Sequence, residues 1–182
     1  KNGIDTVCIT DHGNMYGTLQ FAEKAFQAGL KYIIGCEFYL TNDLNDKTVN
    51  ISEHLILLAK NKAGYKNLVQ LDSMAFVDGF YYKPRVDYEV LEQFHEGIIA
   101  LSACLAGEVQ RYLARGDYEA GREAAIRHIN IFGKENYFLE LQDHGIPEQK
   151  TVNQQLLRLS RELELDCVCT NDVHYTYADD VE

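Results

Sequence analysis

The sequence is short of basic residues. Its 182 residues include 17 lysines and arginines against 28 aspartates and glutamates, a formal net charge of −11. A free-standing nucleic-acid binder usually carries a basic surface, so this deficit argues against that class. Two or three divalent ions in one site would add roughly +4 to +6 and would reverse the local field. An acidic chain can therefore still hold a phosphate group at a metal centre.

Other common signatures are also missing. No signal peptide and no apolar run of membrane-spanning length occurs, so we expect no membrane partner. The five cysteines form no Cys-x-x-Cys pair, and Cys8, Cys36, Cys167 and Cys169 lie in apolar runs. They are predicted to be buried thiols of a reducing cytoplasm. No glycine-rich phosphate loop, Ser-His-Asp arrangement or zinc-finger spacing is found.

The length and apolar content fit one domain. A hydrophobic fraction of 46% is ample for a core, and no repeat or linker divides residues 1–182. The chain begins at Lys1 without an initiator methionine, runs almost directly into a strand and ends at Glu182 without an obvious stop. We therefore expect a fragment of a longer protein.

Apolar runs of strand length alternate with helical periodicity. Strands are predicted at Thr6–Thr10, Tyr32–Leu40, His54–Ala59, Gly97–Ser102, Tyr137–Leu141 and Asp166–Thr170. Helices are predicted at Met15–Ala28, Ala63–Val77, Tyr118–Phe132 and Pro147–Leu163. This alternation is typical of a largely parallel α/β sheet. We favour a (β/α) barrel that lacks its first unit, with an open doubly wound sheet as the alternative.

One connection departs from this pattern. The thirteen residues between Leu40 and His54 are polar and too few for a crossover helix. An antiparallel return is more natural, because antiparallel neighbours tolerate short loops. It would place His54, the first residue of its strand, at the same end of the sheet as Glu37.

Asp172 and His174 follow the last apolar run and suggest a metal site. Residues two apart in extended chain point to the same face. A carboxylate beside an imidazole at the open end of a sheet suits a divalent metal. The Thr10-Asp11-His12-Gly13 stretch after the first strand is similar in character.

Six candidate ligands lie at predicted strand ends. Active sites of α/β proteins collect at the carboxyl ends of strands, so these side chains are expected to converge. Taken singly, His12 could be an ordinary loop residue and Cys104 an ordinary buried one. Glu37 is costly to bury without a metal or an arginine partner. The six are His12, Glu37, His54, Cys104, Asp172 and His174.

Three further residues are candidates for substrate binding. Lys83 and Arg85 follow the aromatic run Phe80-Tyr81-Tyr82, and such a cluster could stack on and neutralise a nucleotide strand. The alternative is a loop that packs its aromatic rings on the barrel wall. His144 follows a strand and could face substrate or support a metal ligand. His95 and His128 are predicted to be surface or packing residues.

With these residues laid out, the chain resembles the PHP (polymerase and histidinol phosphatase) domain of bacterial replicative DNA polymerases. The resemblance runs nearly end to end. Its motifs include Ile9-Thr10-Asp11-His12-Gly13-Asn14-Met15-Tyr16-Gly17, Gly79-Phe80-Tyr81-Tyr82-Lys83-Pro84-Arg85, Ser102-Ala103-Cys104-Leu105-Ala106-Gly107 and Thr170-Asn171-Asp172-Val173-His174-Tyr175. The second and third of these are characteristic of the polymerase branch.

The resemblance implies a distorted (β/α)7 barrel that holds up to three divalent metals. Carried over by position, its implied ligands are the same six residues, and mixed nitrogen, oxygen and sulfur donors suit Zn²⁺, with Mn²⁺ or Fe²⁺ as alternatives. The implied activity is metal-dependent phosphodiester hydrolysis, as a 3′–5′ proofreading exonuclease within a DNA-directed DNA polymerase. A non-catalytic, metal-stabilised module and a free-standing phosphatase, such as a histidinol phosphatase, are the alternatives.

The resemblance also sets expectations for partners and for completeness. Implied partners are DNA, through the parent polymerase, and other replicase subunits, including a separate proofreading subunit. The family's first motif, His-x-His followed by Asp, would precede Lys1. The chain as given is therefore expected to lack the first strand and part of the metal cluster, and to be inactive by itself.

Overall fold

The computed structural model describes residues 3–181, which form one curled sheet with helices packed on its outer face. The strands are β1 Thr6–Ile9, β2 Lys31–Leu40, β3 Glu53–Ala59, β4 Arg85–Val86, β5 Ile98–Leu101, β6 Tyr137–Leu141 and β7 Cys167–Cys169. The helices are α1 Thr18–Gln27, α2 Lys62–Val77, α3 Tyr88–Phe94, α4 Glu108–Ala114, α5 Tyr118–Phe132 and α6 Pro147–Leu163. Short 3₁₀ turns cover Lys134–Asn136 and Ala178–Val181.

The sheet is mixed, and its strand order is β1-β2-β3-β5-β6-β7, with β4 paired to the end of β2. β3 runs antiparallel to both β2 and β5, whereas the β1–β2, β5–β6 and β6–β7 pairs are parallel. The short polar connection between β2 and β3 therefore makes the predicted antiparallel return. β1 and β7 are the two edges of the sheet within the described residues.

The two faces of the sheet differ in what covers them. Side chains alternate along β3, so that Leu55 and Leu57 join the main core with helix residues such as Leu68 and Leu71. Ile56 instead belongs to a smaller cluster made of strand residues and the turn after β5. Helices thus cover one face, as in a barrel, and the doubly wound alternative is wrong.

Long periodic elements were predictable, and short ones were not. The bounds of α5, α6 and β6 match the sequence prediction, whereas α3, α4 and β4 were missed. α3 and α4 have seven residues each and β4 has two, so an apolar period cannot develop. α3 begins instead at a local cap, because the Asp87 side chain accepts a hydrogen bond from the Val90 N–H.

The prediction that four cysteines are buried is wrong for two of them. Cys36 in the middle of the sheet is buried, but Cys8 and Cys169 are exposed. They lie on β1 and β7, and edge strands have a neighbour on one side only. All five thiols are free. Within residues 3–181, no helix is long and apolar enough to cross a bilayer.

Candidate metal centre

Glu37 is the buried hub of a cluster at one end of the sheet. Its Oε1 atom lies 2.5 Å from His12 Nδ1 and 3.1 Å from His54 Nδ1. Strand register explains the convergence: His12 forms a parallel bridge with Glu37, and His54 lies opposite Tyr39, two residues further along β2. Glu37 and Tyr39 point to the same face, so three separate segments bring these side chains together.

Cys104 joins this cluster from the turn after β5. Its Sγ atom lies 3.5 Å from His54 Nδ1, and Ala103 before it has a φ of 65°. A positive φ turns the chain sharply at a non-glycine residue, which strains the backbone but aims the thiol at His54. One ligand atom each from Glu37, His54 and Cys104 lie within 4.8 Å of one another.

Asp172 and His174 reach the same place through a turn. β7 ends at Cys169, and Asp172 has a φ of 44°, so the expected extended geometry does not occur. The His174 Nδ1 atom lies 2.8 Å from the Asp172 carbonyl oxygen, and its Nε2 lies 3.1 Å from His12 Nε2. Of the six predicted ligands, all but His54 line one open cavity of about 550 Å³.

The donor set fits a divalent metal of the zinc type. Zinc bonds of about 2.0–2.3 Å in tetrahedral geometry separate neighbouring ligand atoms by roughly 3.3–3.7 Å. The 3.1 Å from Glu37 to His54 and the 3.5 Å from His54 to Cys104 are close to this range. Imidazole, carboxylate and thiolate together favour zinc over magnesium or calcium, which prefer oxygen ligands.

The cluster shifts the pKa values of its own members. Burial raises the pKa of Glu37, but hydrogen bonds and charges from His54 and His12 outweigh it and hold the pKa below its usual value. Burial lowers the pKa of His54, but hydrogen bonds and charges from Cys104 and Glu37 outweigh it and raise the pKa to about 9. Without metal, the site therefore stabilises a protonated His54 beside an ionised Glu37.

This coupling predicts how pH acts on the metal-free protein. The raised His54 pKa stabilises the fold fully below 6.5 and loses its effect as pH rises to about 9. In chelator, the melting temperature of the wild type should fall over this window, and His54→Gln should flatten that part of the profile. His95→Gln, at an exposed histidine, is the control. A wild-type melting temperature that falls no more steeply between pH 6.5 and 9 than that of His54→Gln would contradict the prediction.

His144 supports the last metal loop. Its Nε2 lies 2.8 Å from the Asn171 carbonyl oxygen and donates to it, while Nδ1 accepts from the Gln149 side-chain amide at 2.9 Å. Both ring nitrogens are thus engaged with protein groups, and one of these groups belongs to Asn171, the residue before Asp172. Of the two alternatives for His144, the geometry favours support of a metal ligand, and its role in substrate binding stays a prediction.

Glu140 and Gln142, which sequence reasoning missed, support the same loop. The Thr170 hydroxyl donates to the buried Glu140 carboxylate, and the Gln142 side-chain amide donates to the same oxygen at 3.0 Å. Burial raises the pKa of Glu140, although hydrogen bonds from Thr170 and Gln142 oppose this. The sequence carried a partial signal, because Glu140 is a carboxylate inside an apolar run and Gln142 follows it two residues later.

Lys83 and Arg85 lie in different environments. Arg85 is fully buried, and its guanidinium donates to the carbonyl oxygen of Gly79 and to those of the loop that joins β2 to β3. The structure therefore does not bring Arg85 to the cavity. Lys83 Nζ lies 4.1 Å from the centre of the Tyr39 ring, which packs edge-on against His54 at 5.3 Å. Lys83 thus contacts the same Tyr39 ring that packs against His54, one of the predicted ligands.

Known proteins resemble this chain in sequence and in fold. The model of the PHP domain family matches residues 1–144. The chain is 45% identical to the DNA polymerase III subunit alpha of Treponema pallidum over 98% of its length and 42% identical to that of Campylobacter jejuni over 97%. It spans 16% of the length of each of these relatives.

A solved structure shares the fold at low sequence identity. It comes from Bifidobacterium adolescentis, and its provisional name is metal-dependent phosphoesterase. The TM-score is 0.53 at 17% identity, and the match covers 95% of this chain and 78% of the other. At this identity the likeness establishes the architecture alone.

Proposed function

We propose, from the premise that this chain belongs to the PHP domain family, that residues 1–182 are a metal-dependent phosphoesterase domain of a DNA polymerase III alpha subunit. The proposed reaction is hydrolysis of phosphodiester bonds at the 3′ end of DNA, a 3′–5′ exonuclease activity suited to proofreading. One observation carries it most: nitrogen, oxygen and sulfur donors from separate chain segments converge on the rim of a single cavity.

Individual residues have separable roles in this proposal. Glu37 would hold two histidines through one oxygen, and Cys104 would supply the thiolate. Asp172 and His174 would complete the metal site from the loop after β7. When bound, divalent ions supply Lewis acidity that activates water and stabilises the departing oxygen. We propose Zn²⁺ as the ion, with Mn²⁺ or Fe²⁺ as alternatives.

The proposed partners follow from the relatives. DNA would be the substrate of the whole polymerase, and other replicase subunits, including a separate proofreading subunit, would assemble with it in the cytoplasm. The formal charge of −11 would oppose DNA locally unless the metal centre is filled. The metals should therefore hold the phosphodiester that is cleaved as well as supply the chemistry of its cleavage.

The double substitution Asp172→Asn with His174→Ala tests the proposal. In the intact native protein it should lower metal content, and it should lower the hydrolysis of bis(4-nitrophenyl) phosphate and of a single-stranded oligonucleotide by at least about 100-fold. His95→Ala is the matched control at an exposed histidine away from the cavity. Unchanged metal content and unchanged hydrolysis in the double variant would overturn the proposal.

A non-catalytic role is the second candidate, and one observation favours it. The Glu37 cluster ties β2, β3 and the turns after β1 and β5 to one another through side chains. Metal bound there would stabilise the fold by mass action. Chelation that lowers the melting temperature, in a protein without hydrolytic activity under Zn²⁺, Mn²⁺ or Fe²⁺, would favour this structural module. A free-standing phosphatase is less consistent with relatives about six times as long.

A further inference from the structure

Three exposed aromatic rings stand in a row beside the metal centre. They belong to Tyr16, Phe76 and Phe80 and are called the aromatic row below. The Tyr16 and Phe76 ring centres are 6.0 Å apart with planes tilted by 28°, and those of Phe76 and Phe80 are 6.4 Å apart with a tilt of 24°. Their exposed fractions are 77%, 36% and 53%, respectively. Large apolar rings clustered at a surface in this way indicate a binding site.

The row is joined to the first metal loop by short polar links. The Asn14 side chain donates to the His12 carbonyl oxygen at 3.0 Å and accepts from the Tyr16 N–H at 3.0 Å. These two hydrogen bonds fix the position of Tyr16 relative to His12. The three rings come from the turn after β1, the end of α2 and the loop before β4. Phe76 and Phe80 are four residues apart, and tertiary folding adds Tyr16 to them.

Two lysines lie beside the row. Lys47 Nζ donates to the carbonyl oxygens of Asp78 and Phe80, and its side chain is exposed. Lys83 lies three residues after Phe80 and rests on the Tyr39 ring, which contacts His54. One cation therefore lies at the row, and a second contacts the ring that packs against a predicted ligand. This is the arrangement that a phosphate backbone with stacking bases requires.

We propose that the aromatic row is a stacking subsite for the bases of a single-stranded nucleic acid whose terminal phosphodiester enters the metal cavity. This inference rests on the proposed function and adds the residues that hold the strand. The rings are nearly parallel and exposed, so their outer faces are open to stacking, and every base offers a face to stack on. In this proposal the bases stack on the row, and Lys83 neutralises phosphates of the strand.

The competing occupant of the aromatic row is a protein partner with an apolar surface. Two exposed apolar side chains of α1 distinguish such a partner from a nucleic-acid strand. Leu19 and Phe26 on α1 are 72% and 78% exposed, and Leu19 lies three residues after Tyr16 in sequence. A protein that docks on exposed apolar groups would use these side chains as well. A nucleic-acid strand stacked on the row would not need them.

Photocrosslinking tests the row directly. A single-stranded oligonucleotide that carries 5-iododeoxyuridine near its 3′ end is bound to the intact native protein in chelator, irradiated and mapped by mass spectrometry. We expect crosslinks to Tyr16, Phe76 or Phe80, lost in the Phe76→Ala/Phe80→Ala variant and kept in Phe76→Tyr, which retains a ring. Leu19→Ala is the matched control and should crosslink like the wild type. A strand that crosslinks to none of the three rings overturns the proposal.

Kinetics separate a failure of the row from a failure of the metal centre. The loss of two rings should raise KM for the oligonucleotide roughly tenfold, since one stacked base contributes about this factor. KM for bis(4-nitrophenyl) phosphate should change much less. Equal changes for the two substrates overturn the stacking role. A wild type that hydrolyses neither substrate overturns the proposed function, and crosslinking in chelator then still decides the row. Crosslinks reduced by Leu19→Ala as much as by ring loss overturn the row in favour of a general apolar surface.

Discussion

Glu37→Gln should empty most of the metal centre and reduce phosphodiester hydrolysis by at least about 100-fold. The change keeps the size of the side chain but removes the charge that faces both His12 Nδ1 and His54 Nδ1. A neutral amide oxygen is a poor ligand for a zinc-type ion, and the amide nitrogen would compete for the same positions. Metal content by mass spectrometry and the turnover of bis(4-nitrophenyl) phosphate measure the effect.

Glu53→Gln is the matched control for this prediction. Glu53 precedes His54 on β3 and is partly buried, and burial raises its pKa. It is absent from the residues that line the cavity and from the described three-ligand group. Its replacement should leave metal content and turnover within about twofold of the wild type. If Glu37→Gln retained full metal content, the role of Glu37 as the hub of the site would be wrong.

Glu108→Ala should lower the free energy of unfolding by about 3–5 kcal/mol. Glu108 is buried at the start of α4, where it accepts from the Tyr88 hydroxyl at 2.5 Å, from His128 Nε2 at 3.1 Å and from the Arg127 guanidinium. Burial raises the pKa of Glu108, but these partners outweigh it and hold the pKa below its usual value. Its removal leaves the buried imidazole and the hydroxyl without an acceptor.

Urea denaturation of the metal-free protein measures this loss. Glu162→Ala is the control, because Glu162 also binds an arginine and a tyrosine hydroxyl, Arg122 and Tyr118, but on the surface. Exposed pairs contribute little, so the control should lose about 1 kcal/mol or less. Equal losses in the two variants would contradict the importance of the buried network. His128 is therefore a packing residue, one of the two roles expected for it from the sequence.

Part of the site was readable from the sequence because strand ends and residue types are local features. His12 and Cys104 follow apolar runs, His54 begins one, and Glu37 lies within one. The short polar connection indicated that β3 returns beside β2. Parallel strands bring their carboxyl ends to one edge, so convergence could be expected before any coordinates. The α/β class and the barrel-like curl follow from the same alternation of runs.

Other features depend on contacts between distant segments. The sequence made Arg85 a candidate for substrate binding, but the short polar connection after β2 folds over it and supplies carbonyl acceptors to the buried guanidinium. The expected extended geometry of Asp172 was wrong, because β7 stops early and Asp172 takes a positive φ. Neither a loop that closes over a side chain nor a strained turn has a periodic signature.

The sequence by itself determined the alternation of strands and helices and the kinds of donor atoms at the strand ends. Both depend only on residue types and their spacing within short stretches of sequence. Tertiary structure alone decided that one oxygen of Glu37 serves two histidines, that Glu140 and His144 support the Asp172 loop, and that Tyr16, Phe76 and Phe80 form one row. These depend on register and on packing between segments up to about 60 residues apart, which no local pattern encodes.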